Sequence, residues 1–230
     1  MFSRPRRLVA EFLGTLLLSA VVVGSGIAAQ QLFPGNRGFE LTINALATAM
    51  GLFAIISAVE PISGAHLNPV VSLVDAALGR RGWIDAALYL PAQIAGCVAG
   101  VTVANVMFGR AAISISTDSR LTPGHFLGEI VATAALVLLI FLLASNGHER
   151  LAPAVVGTFI GAAYFFSSST SFANPAITIG RMFSDSFAGI APGSALGFIG
   201  AQLIGGALGL VFVRILTPHP PIQSTDGNSP

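Results

Sequence analysis

Apolar residues in this chain fall into long runs separated by short polar segments. Six runs approach the roughly 20 residues that a helix needs to cross a bilayer. They lie near Leu8–Ala29, Leu41–Val59, Ala86–Phe108, Phe126–Ser145, Leu151–Ser167 and Ser194–Leu216, the fifth being short. Two alike polar segments interrupt the pattern, Gly64-Ala65-His66-Leu67-Asn68-Pro69-Val70 and Ser171-Phe172-Ala173-Asn174-Pro175-Ala176. In each, Asn is a strong helix N-cap and Pro suits the first helical position, where its missing N–H costs nothing. The stretch from Asn68 to Leu78, stopped by Gly79, spans about 15 Å as a helix, half of a ~30 Å hydrocarbon core. It dips into the membrane without crossing it. A single Asn-Pro also fits an ordinary turn; the second copy in the matching place argues for two re-entrant half-helices.

The two halves repeat. Ala10-Glu11-Phe12-Leu13-Gly14-Thr15 opens the first run and Gly128-Glu129-Ile130-Val131-Ala132-Thr133 the fourth, while Gln93 and Gln202 sit in Gly-rich segments of the third and sixth. The offsets are 118 for the Glu pair, 106 for the Asn pair and 109 for the Gln pair. Three spans per unit is an odd number, so the second unit enters the membrane upside down. An inverted repeat has its pseudo-two-fold axis in the membrane plane and its site near the midplane. Non-helical backbone at that depth is tolerated only where it lines a cavity or is buried in protein. Residues 63–67 and 170–173 are therefore expected to be pore walls with a ladder of carbonyls. Each Asn carbonyl caps its helix and leaves an NH₂ for a passing solute, and two opposed positive helix ends repel cations. Such a site suits a neutral solute with lone pairs.

Composition agrees, with 53% hydrophobic and 9% charged residues and a mean hydropathy of +0.80, against roughly 25% charge in soluble domains. A net charge of +1 gives no reason for a nucleic-acid partner. Cys97 sits beside Gly96 and Gly100 and reads as a small packing residue. No metal, cofactor or catalytic motif stands out, and no enzymatic activity is expected. The first run is too long for a cleavable signal. All eleven basic residues are arginine. With the amino terminus inside, Arg4, Arg6, Arg7, Arg80, Arg81, Arg150 and Arg214 fall on the cytoplasmic side, and Arg37, Arg110, Arg120 and Arg181 on the other. Both termini are thus expected in the cytoplasm. Residues 1–230 read as one channel domain, with repeats at about 8–108 and 125–216 and a disordered tail at 217–230.

These motifs resemble the aquaporin, or major intrinsic protein, family over roughly residues 8 to 216. The resemblance implies an all-α membrane protein with an inverted repeat of six transmembrane helices and two re-entrant half-helices, a pore in each subunit and a homotetramer in a plasma membrane, bacterial inner membrane included. It assigns Asn68, Pro69, Val70, Asn174, Pro175 and Ala176 to the pore boxes. Gly64, Ala65, His66, Leu67, Phe172 and Ala173 fall on the pore lining. Glu11 and Glu129 fall where relatives brace the pore loops; a proton relay is the competing reading of two intramembrane carboxylates.

The departures from the family concern selectivity. Most relatives follow the second box with an arginine that narrows the outer mouth; here Ile177 stands there, and the nearest arginine, Arg181, is placed either to reach toward the mouth or to snorkel to the interface, the interface being the favoured expectation. Thr48 occupies the place held by a bulky aromatic in water-selective relatives, and Ser171 is the loop's contribution to the filter. The segment from Pro153 to Asn174 is two residues short, which leaves Tyr164 or Ala162 as the fifth-span filter residue. Thr48 and Ile177 together imply a wide, less polar mouth. The stretch from Thr170 to Thr178 also resembles bacterial relatives associated with arsenic resistance. The expected function is a passive channel for water, glycerol-like polyols and metalloid acids such as arsenite or its methylated forms. A water-selective channel, a proton-coupled transporter and a membrane-junction protein are the alternatives.

Overall fold

In the computed structural model, which describes residues 2–217, the chain is helical and has no strand among the described residues. The tail expectation for 217–230 lies outside the described residues except at Thr217. The helices are α1 (Arg4–Leu32), α2 (Arg37–Ser63), α3 (Pro69–Ala77), α4 (Trp83–Met107), α5 (Pro123–Ser145), α6 (Ala152–Phe166), α7 (Pro175–Arg181) and α8 (Pro192–Leu216). Five of them are long and apolar enough to cross a membrane. The sixth expected span, α6, has 15 residues, about 22 Å at 1.5 Å per residue. A single 3-10 turn, Glu149–Leu151, precedes it. The long helices begin two to four residues before their apolar runs because polar caps and prolines form the first turn. Asn36 Oδ1 accepts from the Phe39 N–H at 3.2 Å, and Thr122 Oγ1 accepts from the His125 N–H at 3.1 Å. Pro123 and Pro192 occupy first positions, where Pro costs no hydrogen bond.

Packing follows the repeat. α1 lies most extensively against α4, and its counterpart α5 against α8. Both pairs depend on small residues spaced by four, the arrangement that lets membrane helices approach closely. A Cβ added at Gly96 or Gly100 would collide with the backbone of α1 at Phe12 and Leu16. At Gly205 and Gly209 it would meet Ile130 O at 2.6 Å and Ala134 O at 2.8 Å on α5. Cys97 lies fully buried beside this seam, as a packing residue should. Each half-helix packs against both α4 and α8, α7 most extensively on α4 of the other repeat and α3 most extensively on α4 of its own.

The arginines divide between the two ends of the bundle. At one end Arg4 and Arg7 pair with Asp85 at 2.7 and 2.9 Å, Arg80 reaches Glu149 at 3.5 Å, and Arg214 donates to Ala77 O at 2.9 Å. At the other, Arg110 donates to Asp185 O at 3.1 Å and Arg120 pairs with Asp118 at 2.7 Å. Burial holds the Arg120 guanidinium below the usual arginine range, with Asp118 opposing the shift.

Candidate functional site: a pore between two half-helices

α3 and α7 start at Asn68 and Asn174, whose backbones are extended and whose side chains cap their own helices. Asn68 Oδ1 accepts from Val70 N–H at 3.0 Å and Asn174 Oδ1 from Ala176 N–H at 3.0 Å. Each amide nitrogen also reaches across the repeat axis. Asn68 Nδ2 donates to Ala173 O at 2.7 Å, and Asn174 Nδ2 to Leu67 O at 2.7 Å. The expectation of a wholly free NH₂ is therefore corrected: one N–H clamps the opposite loop and one remains. The two half-helices meet with their positive ends together, and α3 and α7 touch. Pro69, Val70, Pro175 and Ala176 are buried behind the caps, and a γ-methyl group of Val70 packs at the place where a Cβ on Gly206 would fall.

The loops before the caps are held in an uncommon backbone. Ala65, Leu67, Thr170, Ser171 and Ala173 have φ between 47° and 63°, a left-handed region costing of order 1–3 kcal/mol each for non-glycine residues. Glu11 and Glu129 hold it in place. Glu11 accepts from Ser63 Oγ at 2.6 Å, His66 N–H at 3.0 Å, Leu67 N–H at 2.7 Å and Gln93 Nε2 at 2.8 Å. Glu129 accepts from Ser169 Oγ at 2.6 Å, Phe172 N–H at 2.8 Å, Ala173 N–H at 2.8 Å and Gln202 Nε2 at 2.6 Å. Both carboxylates are fully buried and lie outside the cavity wall. With the loop N–H groups turned to the glutamates, the carbonyls of Gly64, Ala65, His66, Ser171 and Phe172 accept no hydrogen bond among the described residues. These five residues line the cavity, and their carbonyls are left with free acceptor capacity.

Sequence reasoning missed the partners that complete this brace. Gln93 and Gln202 also donate to Ser72 Oγ and Thr178 Oγ1, at 3.0 and 2.9 Å, and these hydroxyls donate to Asn68 O and Asn174 O. The signal was present: Gln93 and Gln202 repeat at nearly the Asn offset, and a buried amide needs a partner.

One continuous cavity of about 240 Å³ runs past both asparagines, from Arg80 and Glu149 at one end to Arg181 at the other. Its middle is apolar, with Leu18, Val22, Leu52, Val156 and Ile160 opposite the loops. At the Arg80 end His66 lines the cavity, but both ring nitrogens are engaged. Nδ1 lies 3.0 Å from Ser72 Oγ and Nε2 3.1 Å from Asp75 Oδ2. Asp75, with Arg80 at 3.4 Å and Arg81 at 3.2 Å, anchors that mouth. Sequence reading passed over it, although a carboxylate in a half-helix was a signal in itself. Together with Glu60 it places carboxylates on the cavity wall. The charges stand at the ends, because burial in the apolar middle would leave them unpaired.

At the other mouth Thr48, Tyr164, Ser171 and Ile177 all line the cavity. Of the two fifth-span alternatives, Tyr164 faces inward and bonds Thr48 at 3.1 Å, while Ala162 is exposed on the outside of α6. Ser171 Oγ is buried without a hydrogen-bond partner. Arg181 overturns its expectation. Instead of snorkelling, it is 3% exposed and lines the cavity; Nε donates to Ala188 O, and Cζ lies 3.5 Å over the Phe172 ring. A desolvated cation–π pair is worth about 2 kcal/mol, enough to hold the head in place. The mouth is accordingly more polar than Ile177 alone implied.

Five helices long enough to span, the shorter α6 beside them, and two half-helices that start on one cavity define a membrane channel. Residues 2–172 match the family described as major intrinsic protein. The chain is 44% identical over 222 residues to Aquaglyceroporin AqpS of Rhizobium meliloti (strain 1021), covering 96% of this chain and 94% of that one. It is 34% identical over 186 residues to Aquaporin A of Dictyostelium discoideum, covering 74% and 65%. The X-ray structure of the aquaglyceroporin from Plasmodium falciparum shares the fold with a TM-score of 0.71, at 23% identity, over 93% of this chain and 95% of that one. The chain belongs to the major intrinsic protein family.

Proposed function

We propose that the protein is a passive channel for small uncharged solutes, passing water and glycerol-sized polyols through a pore within each chain. The observation that carries the reading is the pair of clamped asparagines on one continuous cavity. Their remaining N–H groups and the free loop carbonyls offer donor and acceptor together, which a hydroxyl-bearing solute satisfies at each step. The filter in this reading is Thr48, Tyr164, Ser171 and Ile177, with Glu11 and Glu129 as supports for the loops. The aquaglyceroporin name carried by the rhizobial relative supports polyol-sized cargo. Arsenite in its neutral acid form and its uncharged methylated forms extend the same proposal. The basic cluster before α1 supports cytoplasmic termini, and assembly as a homotetramer in a bacterial inner membrane completes it.

Stopped-flow light scattering of proteoliposomes tests the cargo. Under inward gradients of glycerol or arsenite, vesicles with the protein should swell about tenfold or more faster than empty ones. Swelling limited to water would replace this reading with a water-selective channel.

A further inference from the structure

Ile177 and Arg181 are four residues apart on α7, hence on one face of it, and both line the cavity. The aliphatic side chain sits beside the cap and the guanidinium one turn farther out. Only Nε of Arg181 makes a hydrogen bond, to Ala188 O. The two terminal nitrogens have no partner among the described residues, and neither is sealed from the cavity. No carboxylate cancels the charge. Asp118 is engaged by Arg120 at 2.7 Å, Asp185 Oδ1 accepts from Thr117 at 3.0 Å, and Glu129 is filled by four donors. Arg37, at the same end, is paired with Glu40 at 3.5 Å. The Phe172 ring beneath the guanidinium and the Ala188 carbonyl hold it at the wall.

We infer that Arg181 is the cation-excluding residue of this pore, acting from the last turn of the half-helix while position 177 stays apolar. A fixed charge in a constriction with low-dielectric walls repels like charge far more than the same charge in water. A neutral solute feels it only as a hydrogen-bond donor. The inference rests on the reading as a neutral-solute channel.

The test uses the full chain in proteoliposomes, with glycerol swelling and methylammonium flux under an imposed voltage measured on the same vesicles. Wild type should pass glycerol and hold methylammonium at the level of empty vesicles. Arg181→Leu should remain permeable to glycerol and raise methylammonium flux roughly tenfold or more. The double change Ile177→Arg with Arg181→Leu should close the leak again by returning a charge to the same face. Should Arg181→Leu fail to insert, Arg181→Gln keeps a donor for Ala188 O without the charge and reads the same quantity. Glycerol-permeable wild-type vesicles that leak methylammonium overturn the inference, as does a permeable Arg181→Leu or Arg181→Gln that stays tight. Absent glycerol flux in wild type overturns the channel reading instead.

Discussion

Glu129→Gln is expected to remove most of the folded, permeable protein, although it changes one oxygen to one nitrogen. Four donors point at the Glu129 carboxylate within 2.8 Å, two of them loop N–H groups. A Gln oxygen accepts two of these and its NH₂ is itself a donor, so at least two buried donors lose their partner. Each costs about 1–3 kcal/mol, or about 2–6 kcal/mol in all, against a total stability of 5–15 kcal/mol for a typical protein. The carboxylate's loop partners are the N–H groups of Phe172 and Ala173 and the Ser169 hydroxyl that in turn accepts from Ser171 N–H, in the loop where Ser171 and Ala173 sit in the left-handed region. Glu11→Gln should act the same way on the other loop, where Ser63, His66, Leu67 and Gln93 converge. The check is the unfolding midpoint in detergent together with glycerol swelling. Wild-type values for both in Glu129→Gln would show that the carboxylates do not brace the loops.

Ile177→Arg carries the second large effect. The new side chain enters a mouth that already holds Arg181, so two guanidinium groups share one face of α7 and Thr48, Tyr164 and Ser171 share the remaining space. Glycerol flux should fall about tenfold or more, and water flux much less, because an extra branch of five donors narrows the bore without removing its polar wall. Thr48 leaves room opposite, and adding Thr48→Phe should close it, at the cost of the bond to Tyr164. Equal loss for water and glycerol would point to misfolding. Unchanged glycerol flux in a correctly inserted double variant would place the filter elsewhere.

The half-helices and their meeting were legible because capping is local: Asn followed by Pro fixes a helix start from two residues. The glutamates were legible as charge in an apolar run, and the repeat supplied their pairing. Arg181 was not, because a long side chain four residues past the box has two outlets. The choice depends on Phe172 and Ala188, brought beside it by tertiary packing that no periodicity reports. Tyr164 had the same difficulty: the missing two residues could fall in helix or loop, and a one-residue shift turns a helical side chain by about 100°. Asp75 was overlooked because its partners Arg80, Arg81 and His66 become neighbours only when the loop after α3 folds back.

Passive passage of neutral solutes is tested most directly by labelled glycerol uptake into proteoliposomes with and without an imposed proton gradient. Uptake should stop when the inside and outside concentrations are equal, at the same final level in both conditions, since Glu11 and Glu129 are saturated behind the cavity wall and offer no relay. Accumulation above the external concentration when protons flow inward would contradict it.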